Sequence, residues 1–516
     1  MTVRVSERPA AVRVRAALPP ADSVWWLVAA GAVFVLAALL FVSPRMGLSW
    51  DETVYVSQVS RHGPASYFDA ARARGVTVLV APVAWVTSSV VALRVYLAVL
   101  SGVSLVLALL VWRRVPGMYR DGRPGWVLAL AAVAFGGLWV TQYYGPQAMP
   151  DMWSAVGSLA AVGLFLRCVQ VAGVGSVSWR LLAMLGGAVA FVALVRPGDA
   201  LYLAVPLVVF GLLWRHFAAV LAVAAGLVAG GLEWVIEAVV RFGGVFTRLH
   251  GAGAEQSGFG LQSAVLKELQ ALNGPTLCRP CGVGYRQPEL DLWWLLLPVV
   301  VVLGVVVVAR AGATAAAQRE AAAQREAGAR REAGATGAAR AVAVAAMPAV
   351  CGFFLAAQYL FMINYAAPRF LLPAYAVFAI PVADALGWLC AGVRADLRLA
   401  FTPVIAFALF LQLVAQHFVL DHEAGGTVTF HRDYDIIAAA LASRGVRPPC
   451  VVNGAQYIPI AFVARCASAP SVASGLTSGA RAYLVADGAR PPLYVRHWHA
   501  YHITGTNVMH VTAYLP

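Results

Sequence analysis

The chain has 516 residues, of which 61% are hydrophobic and only 12% are charged, and its formal net charge is +14. A soluble domain has about a quarter of its residues charged, so this composition, with a mean hydropathy of +0.75, excludes a soluble globular protein. It predicts a polytopic α-helical membrane protein. The basic residues are spread among loops between apolar runs, which indicates membrane topology and not a nucleic-acid partner.

Eleven apolar runs are long enough to form transmembrane helices, at about 20 residues for each crossing. They lie at residues 24–43, 90–112, 125–141, 152–169, 181–195, 199–214, 217–238, 291–309, 341–363, 369–390 and 399–418. A further run at 76–89 is interpreted as a surface or re-entrant segment, because a crossing there would invert every later span.

The distribution of arginine predicts the orientation of the chain. The N-terminal tail carries Arg4, Arg8, Arg13 and Arg15 without a long apolar start, which indicates a cytoplasmic arm and not a cleaved signal peptide. Arginine-rich loops then alternate with arginine-poor ones, and an odd number of crossings places the C-terminus outside. We therefore expect a multi-pass plasma-membrane protein with a cytoplasmic N-terminus and an extracytoplasmic C-terminus.

Three polar segments interrupt the apolar pattern before the C-terminal region. Residues 44–75 and 241–290 are predicted to form two outer loops. Residues 310–340 contain a short imperfect Ala-Ala-Gln-Arg-Glu repeat of mixed charge, which predicts a solvated cytoplasmic linker with helical tendency and no chemistry of its own.

The C-terminal region, residues 421–516, is long enough for a small extracytoplasmic α/β domain. Strands are predicted at 450–452, 482–485 and 508–514, with a helix at 455–464. The predicted division is therefore a transmembrane domain over residues 1–420, followed by this outer domain.

Four of the seven cysteines lie outside the apolar runs, at Cys278, Cys281, Cys450 and Cys466. An even number in an oxidising compartment permits disulfides, and Cys450 with Cys466 is the favoured pair. For Cys278 and Cys281 a tight bridge, a link to the other pair and half of a metal site all remain open.

Four histidines, His497, His499, His502 and His510, cluster near the C-terminus. In a strand, His497 and His499 would share one face while His502 would lie on the other. This pattern favours a polar strand face over a metal site, and we assign no metal ligand there.

The segment Ser49-Trp50-Asp51-Glu52-Thr53-Val54-Tyr55 follows the first apolar run and places two carboxylates just outside the membrane. Trp50 and Tyr55 would hold them at headgroup depth. A solvated loop acid is the plain alternative for either residue. Ionisable groups that face a membrane cavity are commonly functional, however, which makes Asp51 and Glu52 candidate catalytic residues.

Three further motifs are predicted on the same face. Tyr144 and Asp151 flank a Pro- and Gly-containing turn after the third span, and Arg196-Pro197 follows the fifth. Tyr365 and Arg369 follow the ninth, in Asn-Tyr-Ala-Ala-Pro-Arg-Phe-Leu-Leu-Pro. Arg369 is either a snorkelling or salt-bridged interfacial residue or a guanidinium clamp for a lipid phosphate.

These motifs, in this order, resemble the membrane-embedded C-type glycosyltransferase superfamily, which includes protein O-mannosyltransferases and aminoarabinose transferases. The resemblance covers the whole membrane region and is most specific at Trp50-Asp51-Glu52. It implies a polyprenyl-phosphate sugar donor, and it places Asp51 in a cavity that faces the outer leaflet. The 310–340 insert and the details of the 421–516 domain match no pattern of the family.

The resemblance implies an inverting enzyme that moves a hexosyl or pentosyl group, such as mannosyl, to an acceptor hydroxyl. The acceptor would be a cell-envelope glycan, lipid or protein. Such a reaction needs a base and a positive charge for the departing phosphate. Asp51 is the candidate base, and Arg369, then Arg196, are the candidates for the phosphate. Glu52 or Asp151 would orient the base, bind sugar hydroxyls or hold a divalent cation, for which Mg or Mn would suit oxygen ligands; the reaction does not require one.

Two other classes of protein remain as alternatives. A lipid-linked sugar transporter, or flippase, would be polytopic but should show internal repeats and broken helices, which we do not detect. A polysaccharide polymerase or ligase would use outer arginine and histidine, for which His62 and His250 are available. His62 is therefore kept as a candidate substrate-binding residue with Tyr144, Asp151, Arg196, Tyr365 and Arg369.

Overall fold

The computed structural model describes residues 20, 22–115, 117, 123–172, 175–256, 258, 260–282, 287–327, 334–391, 395–469 and 480–516. The predicted N-terminal arginine arm lies outside the described residues. Within them the chain forms a large helical region and a small C-terminal sheet.

The helices are α1 Trp25–Phe41, α2 Trp50–Ser57, α3 Gly75–Ala84, α4 Val90–Val111, α5 Gly125–Gly136, α6 Trp139–Tyr144, α7 Pro150–Ala172, α8 Trp179–Val195, α9 Pro197–Leu213, α10 Phe217–Phe242, α11 Val245–Glu255, α12 Val265–Ala271, α13 Leu292–Ala327, α14 Gly334–Phe361, α15 Leu372–Ala391, α16 Ala395–Ser443 and α17 Tyr457–Ala464. The strands are β1 Cys450–Gly454, β2 Ala467–Ser468, β3 Ala480–Ala486, β4 His499–His502 and β5 Val511–Leu515.

The predicted fold class, a polytopic helical membrane protein with a small C-terminal sheet domain, is confirmed. A helix coincides with each of the eleven predicted spans. Seven helices among the described residues are long and apolar enough to cross a membrane, and five further apolar helices are shorter, so the number of crossings stays a prediction. One of the shorter helices is α3, whose 10 residues extend over about 15 Å, roughly half the hydrocarbon thickness.

The helices differ in how deeply they are enclosed. In the most apolar 18-residue stretch of each helix, 83% of the residues of α15 and 72% of those of α7 are buried inside the protein. In α16 the buried share is only 17%. Helices α15 and α7 therefore form the centre of the bundle. A central position allows a helix to carry polar groups toward its neighbours without exposing them to lipid.

The predicted cytoplasmic linker at 310–340 continues two helices in its described part. Helix α13 has 36 residues and is about 54 Å long, so its length exceeds the thickness of the hydrocarbon layer, which is roughly 30 Å. Its Ala, Gln, Arg and Glu residues are strong helix formers, so the repeat lengthens the helix that precedes it. Residues 328–333, at the centre of the predicted linker, lie outside the described part.

The C-terminal sheet has the strand order β2-β1-β3-β5-β4. Strand β1 is parallel to β2 and β3, while β5 is antiparallel to β3 and β4. The three predicted strands and the predicted helix coincide with β1, β3, β5 and α17. Strand β4 lies where a polar strand face was favoured for the histidines, whereas β2, with two residues, was not predicted. His499 and His502 lie in the edge strand β4, whereas His497 precedes it.

Helix α16 runs through the predicted domain boundary at residues 420 and 421 without interruption. Leu420 and Ala424 pack into the core of the membrane region, whereas Ile437 and Leu441 pack into the core beneath the sheet. One continuous helix therefore joins the C-terminal sheet to the helical bundle.

The cysteines outside the apolar runs form two disulfides. Cys450 is bonded to Cys466, with 4.8 Å between their Cα atoms, which agrees with the favoured pairing. Cys278 is bonded to Cys281. Of the three alternatives that the sequence left open for these two residues, the structure therefore has the tight bridge.

The second outer loop packs against the end of α14. The amides of Ala264 and Gln262 donate to the carbonyls of Leu360 at 2.8 Å and Phe361 at 3.0 Å. Further along, Cys278 forms an antiparallel bridge with Ala366. These bonds satisfy carbonyls that a helix end leaves without a partner, and they fix the turn that leads to Arg369.

Candidate active site around Asp51

Asp51 lies in the first turn of α2, the short helix that opens the first outer loop. The turn is closed by Glu52, whose Oε2 accepts a 3.0 Å hydrogen bond from the amide of Ser49. Acidic residues are favoured in a first helical turn because they face unpaired amides. The side chain of Asp51 is 29% exposed and thus keeps access to the outside of the bundle.

Two arginines hold the Asp51 carboxylate, one on each oxygen. Arg72 Nη2 lies 2.8 Å from Oδ1, and Arg369 Nη2 lies 3.1 Å from Oδ2. Burial by itself raises the pKa of Asp51. The charges of Arg72, Arg369 and Arg196 and the hydrogen bond from Arg72 outweigh it, so the pKa of Asp51 lies below its ordinary value.

Arg369 links Asp51 to a second carboxylate. Its Nε lies 3.6 Å from Oδ2 of Asp151, and Arg196 forms an ion pair with Oδ1 of the same residue. The structure thus brings together an alternating row of charges: Arg72, Asp51, Arg369, Asp151 and Arg196. Asp151 is fully buried, and its Oδ2 has no hydrogen-bond partner within the described residues.

Asp199 extends this row into the bundle. Its carboxylate accepts hydrogen bonds from Ser154 and Tyr359, both at 2.5 Å, and from Gln358 at 2.7 Å. Arg196 Nε lies 3.9 Å away. Asp199 follows Arg196 by three positions in the chain but was not predicted as a site residue. An acid at the start of an apolar span is nevertheless a signal of function that the sequence carries.

Two predicted aromatic residues each lie against an arginine, Tyr144 against Arg369 of the row and Tyr365 against Arg279. The guanidinium of Arg369 is 5.7 Å from the ring centroid of Tyr144. Tyr365 packs edge-on against Phe370 at 5.8 Å, and Arg279 of the second outer loop lies 5.0 Å from its ring centroid. Both tyrosines are buried, and cation–π contacts of this kind fix the planes of the arginines.

Glu52 points away from its neighbour Asp51. It is fully buried and forms a two-pronged ion pair with Arg94 of α4, with 2.9 Å between Oε2 and Nη2. Its Oε1 also accepts a 2.8 Å hydrogen bond from the amide of Ala148. Arg94 in turn donates to the carbonyl of Gly47 at 2.7 Å. Glu52 therefore joins the first outer loop, α4 and the turn before α7.

Arg72 is a site residue that sequence reasoning left among the other charges of the first outer loop. Asp69 fixes it at 2.5 Å, while Arg248 of α11 donates to the backbone carbonyl of Arg72 at 2.8 Å. Glu255, also in α11, accepts hydrogen bonds from the amides of Ala70 and Ala71. No local pattern marks Arg72, because its position depends on contacts between two loops.

His62 is not part of this row. Its ring packs against Phe462 of α17, with 5.2 Å between the centroids, and it lines a separate cavity beside Arg465. In the part of the chain that the structure describes, no group of three or more His, Cys, Asp or Glu side chains is placed to hold a metal ion. The divalent cation therefore has no assigned set of ligands.

Known proteins resemble this chain in fold but not in sequence. No protein-family model matches the chain, and no curated protein matches it. Among solved structures it is similar to ArnT from Cupriavidus metallidurans bound to undecaprenyl phosphate, with a TM-score of 0.59 and 13% identity over 95% of this chain and 98% of that one. The apo form of ArnT gives a TM-score of 0.53 at 13% identity, with the same coverage.

A second kind of enzyme shares the architecture. The oligosaccharyltransferase of Archaeoglobus fulgidus, tethered to an acceptor peptide, matches with a TM-score of 0.50 and 12% identity over 86% of this chain and 64% of that one. The resemblance expected from the sequence is thus confirmed at the level of the fold. The chain has the fold that the aminoarabinose transferase ArnT and this oligosaccharyltransferase share as C-type membrane glycosyltransferases.

Proposed function

We propose that the protein is an inverting glycosyltransferase that moves a sugar from a polyprenyl-phosphate donor to an acceptor hydroxyl at the outer face of the membrane. One observation carries this proposal. The partly exposed carboxylate of Asp51 lies between Arg72 and Arg369, so the proposed base and the proposed phosphate-binding cation are in direct contact. The fold supports the donor class, since the ArnT structure of the same fold contains undecaprenyl phosphate.

The chemical step uses Asp51 as the general base. The acceptor hydroxyl gives its proton to the Asp51 carboxylate while its oxygen attacks the anomeric carbon of the donor. The bond between that carbon and the phosphate oxygen breaks, and its electron pair leaves with the phosphate. Attack opposite to the leaving group inverts the anomeric configuration.

Arg369 is the first candidate for the leaving phosphate and Arg196 is the second. A planar guanidinium can offer two parallel hydrogen bonds to phosphate oxygens and stabilise the charge that develops there. Arg369 already contacts Asp51 and Asp151. A bound phosphate would compete with Asp51 for Arg369, so donor binding would release the base from one of its two ion pairs and make it more basic.

The remaining polar groups have distinct proposed roles. The Oδ2 of Asp151, which accepts no hydrogen bond from the described residues, suits a sugar hydroxyl donor. Glu52 is proposed to be a positioning residue, because its carboxylate is occupied by Arg94 and by the amides of Ser49 and Ala148. Tyr144 and Tyr365 are proposed to shape the donor site around Arg369.

The test is a transfer assay with the purified full chain reconstituted in lipid. Radiolabelled polyprenyl-phosphate sugars, hexosyl and pentosyl, are supplied with a cell-envelope extract that contains glycan, lipid and protein acceptors. The proposal expects label to move from the donor to one acceptor fraction with wild-type protein and not with Asp51→Asn. Label that moves equally with both proteins would contradict it, as would donor that crosses the bilayer without cleavage.

A further inference from the structure

A polar cavity apart from the row of charges around Asp51 lies between the first outer loop, the α3–α4 turn and the end of α17. Its volume is about 520 Å³, within the roughly 300–1,000 Å³ range of small-molecule sites. The lining residues are Ser60, Arg61, His62, Ala84, Trp85, Val86, Thr87, Ser88 and Arg465. Nine positions separate Ser60 from Asp51, mostly along α2, which corresponds to a distance on the order of 10 Å.

The lining of this cavity is cationic and carries no acid. Arg61 and Arg465 contribute two full positive charges, and neither forms an ion pair with any residue that the structure describes. The imidazole of His62 also lines the cavity. Burial, and then the charge of Arg465, lower the pKa of His62. Three hydroxyls, from Ser60, Thr87 and Ser88, complete the polar lining.

Two exposed apolar side chains border this cavity. Trp85 and Val86 are 56% and 76% exposed, and they stand between the apolar helix α3 and the start of the transmembrane helix α4. The Arg61 guanidinium stacks 4.0 Å from the Trp85 ring centroid. An exposed tryptophan at this place is typical of the membrane–water interface.

Arg465 occupies a backbone position that suits a different residue. It caps the C-terminus of α17 with φ of 58°, in the left-handed region, where Gly or Asn fits with less strain. Asn would satisfy this cap at least as well as Arg does, so the cap itself does not explain why Arg is present. Like Arg61, Arg465 lines the cavity.

We propose that this cavity binds the phosphate group of an outer-leaflet amphiphile, held by Arg61, Arg465 and His62 with the hydroxyls around them. Two arginines without a carboxylate partner among the described residues match the charge and the acceptor oxygens of a phosphate. The amphiphile is either a bilayer phospholipid or a phosphorylated glycolipid. The site is distinct from the row of charges around Asp51, and it does not depend on the sugar transfer proposed above.

Two probes and one double variant test the site. Delipidated full-length protein is titrated with phosphatidylglycerol, with neutral diacylglycerol as the reference lipid, and binding is followed by native mass spectrometry. Glucose 1-phosphate is then added as a soluble competitor. The variant is Arg61→Gln with Arg465→Asn, since Asn retains the left-handed cap while it removes the charge. Arg447→Gln with Arg496→Gln, two exposed arginines of the outer domain, is the matched control.

Wild type and the control should bind a phosphate-bearing probe more tightly than diacylglycerol, and the Arg61/Arg465 variant should lose at least about tenfold in affinity. Displacement of lipid by glucose 1-phosphate would assign the site to a phosphorylated sugar, and the absence of displacement would assign it to a phospholipid headgroup. Equal affinity of the variant and the control for both probes, with circular dichroism unchanged, would overturn the proposal.

Discussion

Arg369 donates a hydrogen bond of 3.1 Å from Nη2 to Oδ2 of Asp51, although 318 positions separate the two residues in the chain. The contact joins the start of the first outer loop to the turn that opens α15. It sets the proposed base against the proposed phosphate-binding cation before any donor is bound. Because Arg369 would bind both Asp51 and the donor phosphate, binding of the donor and activation of the base are predicted to be coupled.

Replacement of Asp51 by Asn should abolish sugar transfer. The amide keeps the shape of the side chain but cannot take a proton, and loss of a general base typically lowers the rate by about a hundred- to ten-thousandfold. Expression and membrane insertion should stay at the wild-type level. Asp487→Asn, at an exposed acid of the outer domain, is the control and should be fully active. Near-normal turnover of Asp51→Asn would remove this residue from the mechanism.

Changes at Arg369 should affect the donor more than the acceptor. Arg369→Ala should raise the KM for the donor or lower kcat, and Arg369→Lys should rescue only in part, because Lys keeps the charge but not the two-pronged hydrogen bond. A titration with a short-chain polyprenyl-phosphate sugar measures both variants. If both match wild type at subsaturating donor, Arg369 is a snorkelling residue without a ligand.

The acid limb of the pH profile should depend on Arg72. The pKa of Asp51 lies below its ordinary value of 3.8, so the carboxylate is ionised through the neutral range. In wild type, kcat/KM should therefore stay insensitive to Asp51 protonation until the pH falls below that value. Arg72→Gln removes the largest opposing charge, so the pKa should rise and the acid limb should move to higher pH.

Arg74→Gln is the matched control for this shift, since Arg74 pairs with Glu237 and not with Asp51. Its profile should superimpose on that of wild type. An acid limb that stays at the same pH in the Arg72 variant would show that Asp51 is not the group that titrates.

Glu52 should prove necessary for stability and not for the chemical step. Glu52→Gln leaves the buried guanidinium of Arg94 without its counter-charge, and the loss of one partner of a buried pair typically costs about 3–5 kcal/mol. Thermal unfolding in detergent should occur at a lower temperature than in wild type or Asp51→Asn. A Glu52→Gln protein that is as stable as wild type but inactive would instead place Glu52 among the catalytic residues.

Labelling of single cysteines should establish the orientation. In a background without Cys168, Cys351 and Cys390, which form no disulfide, a cysteine at residue 260 or 443 should react with an impermeant reagent from outside. A cysteine at residue 325 should react only after the membrane is opened. Reaction at residue 325 from outside would reverse the topology and place the row of charges around Asp51 on the cytoplasmic side.

Several parts of the site follow from sequence because their signals are local. Asp51, Asp151, Arg196 and Arg369 each border an apolar run, and the structure gathers all four into one row. Glu52 stands beside Asp51 in the sequence but turns into the bundle toward Arg94, since adjacent residues of a helix point in different directions. His62 belongs to another cavity. Arg72 could not be chosen from the other charges of its loop.

The sequence by itself determined where the long apolar helices and the main strands of the C-terminal sheet form, since hydropathy, helix formers and turn residues act between neighbours in the chain. It therefore predicted a polytopic bundle with a small outer α/β unit. Only the tertiary structure decided which charges meet, and that α16 is one helix that serves both cores. The ion pairs of Asp51 link residues 21 and 318 positions apart, and such pairs form only where packing of the bundle brings the outer ends of its helices together.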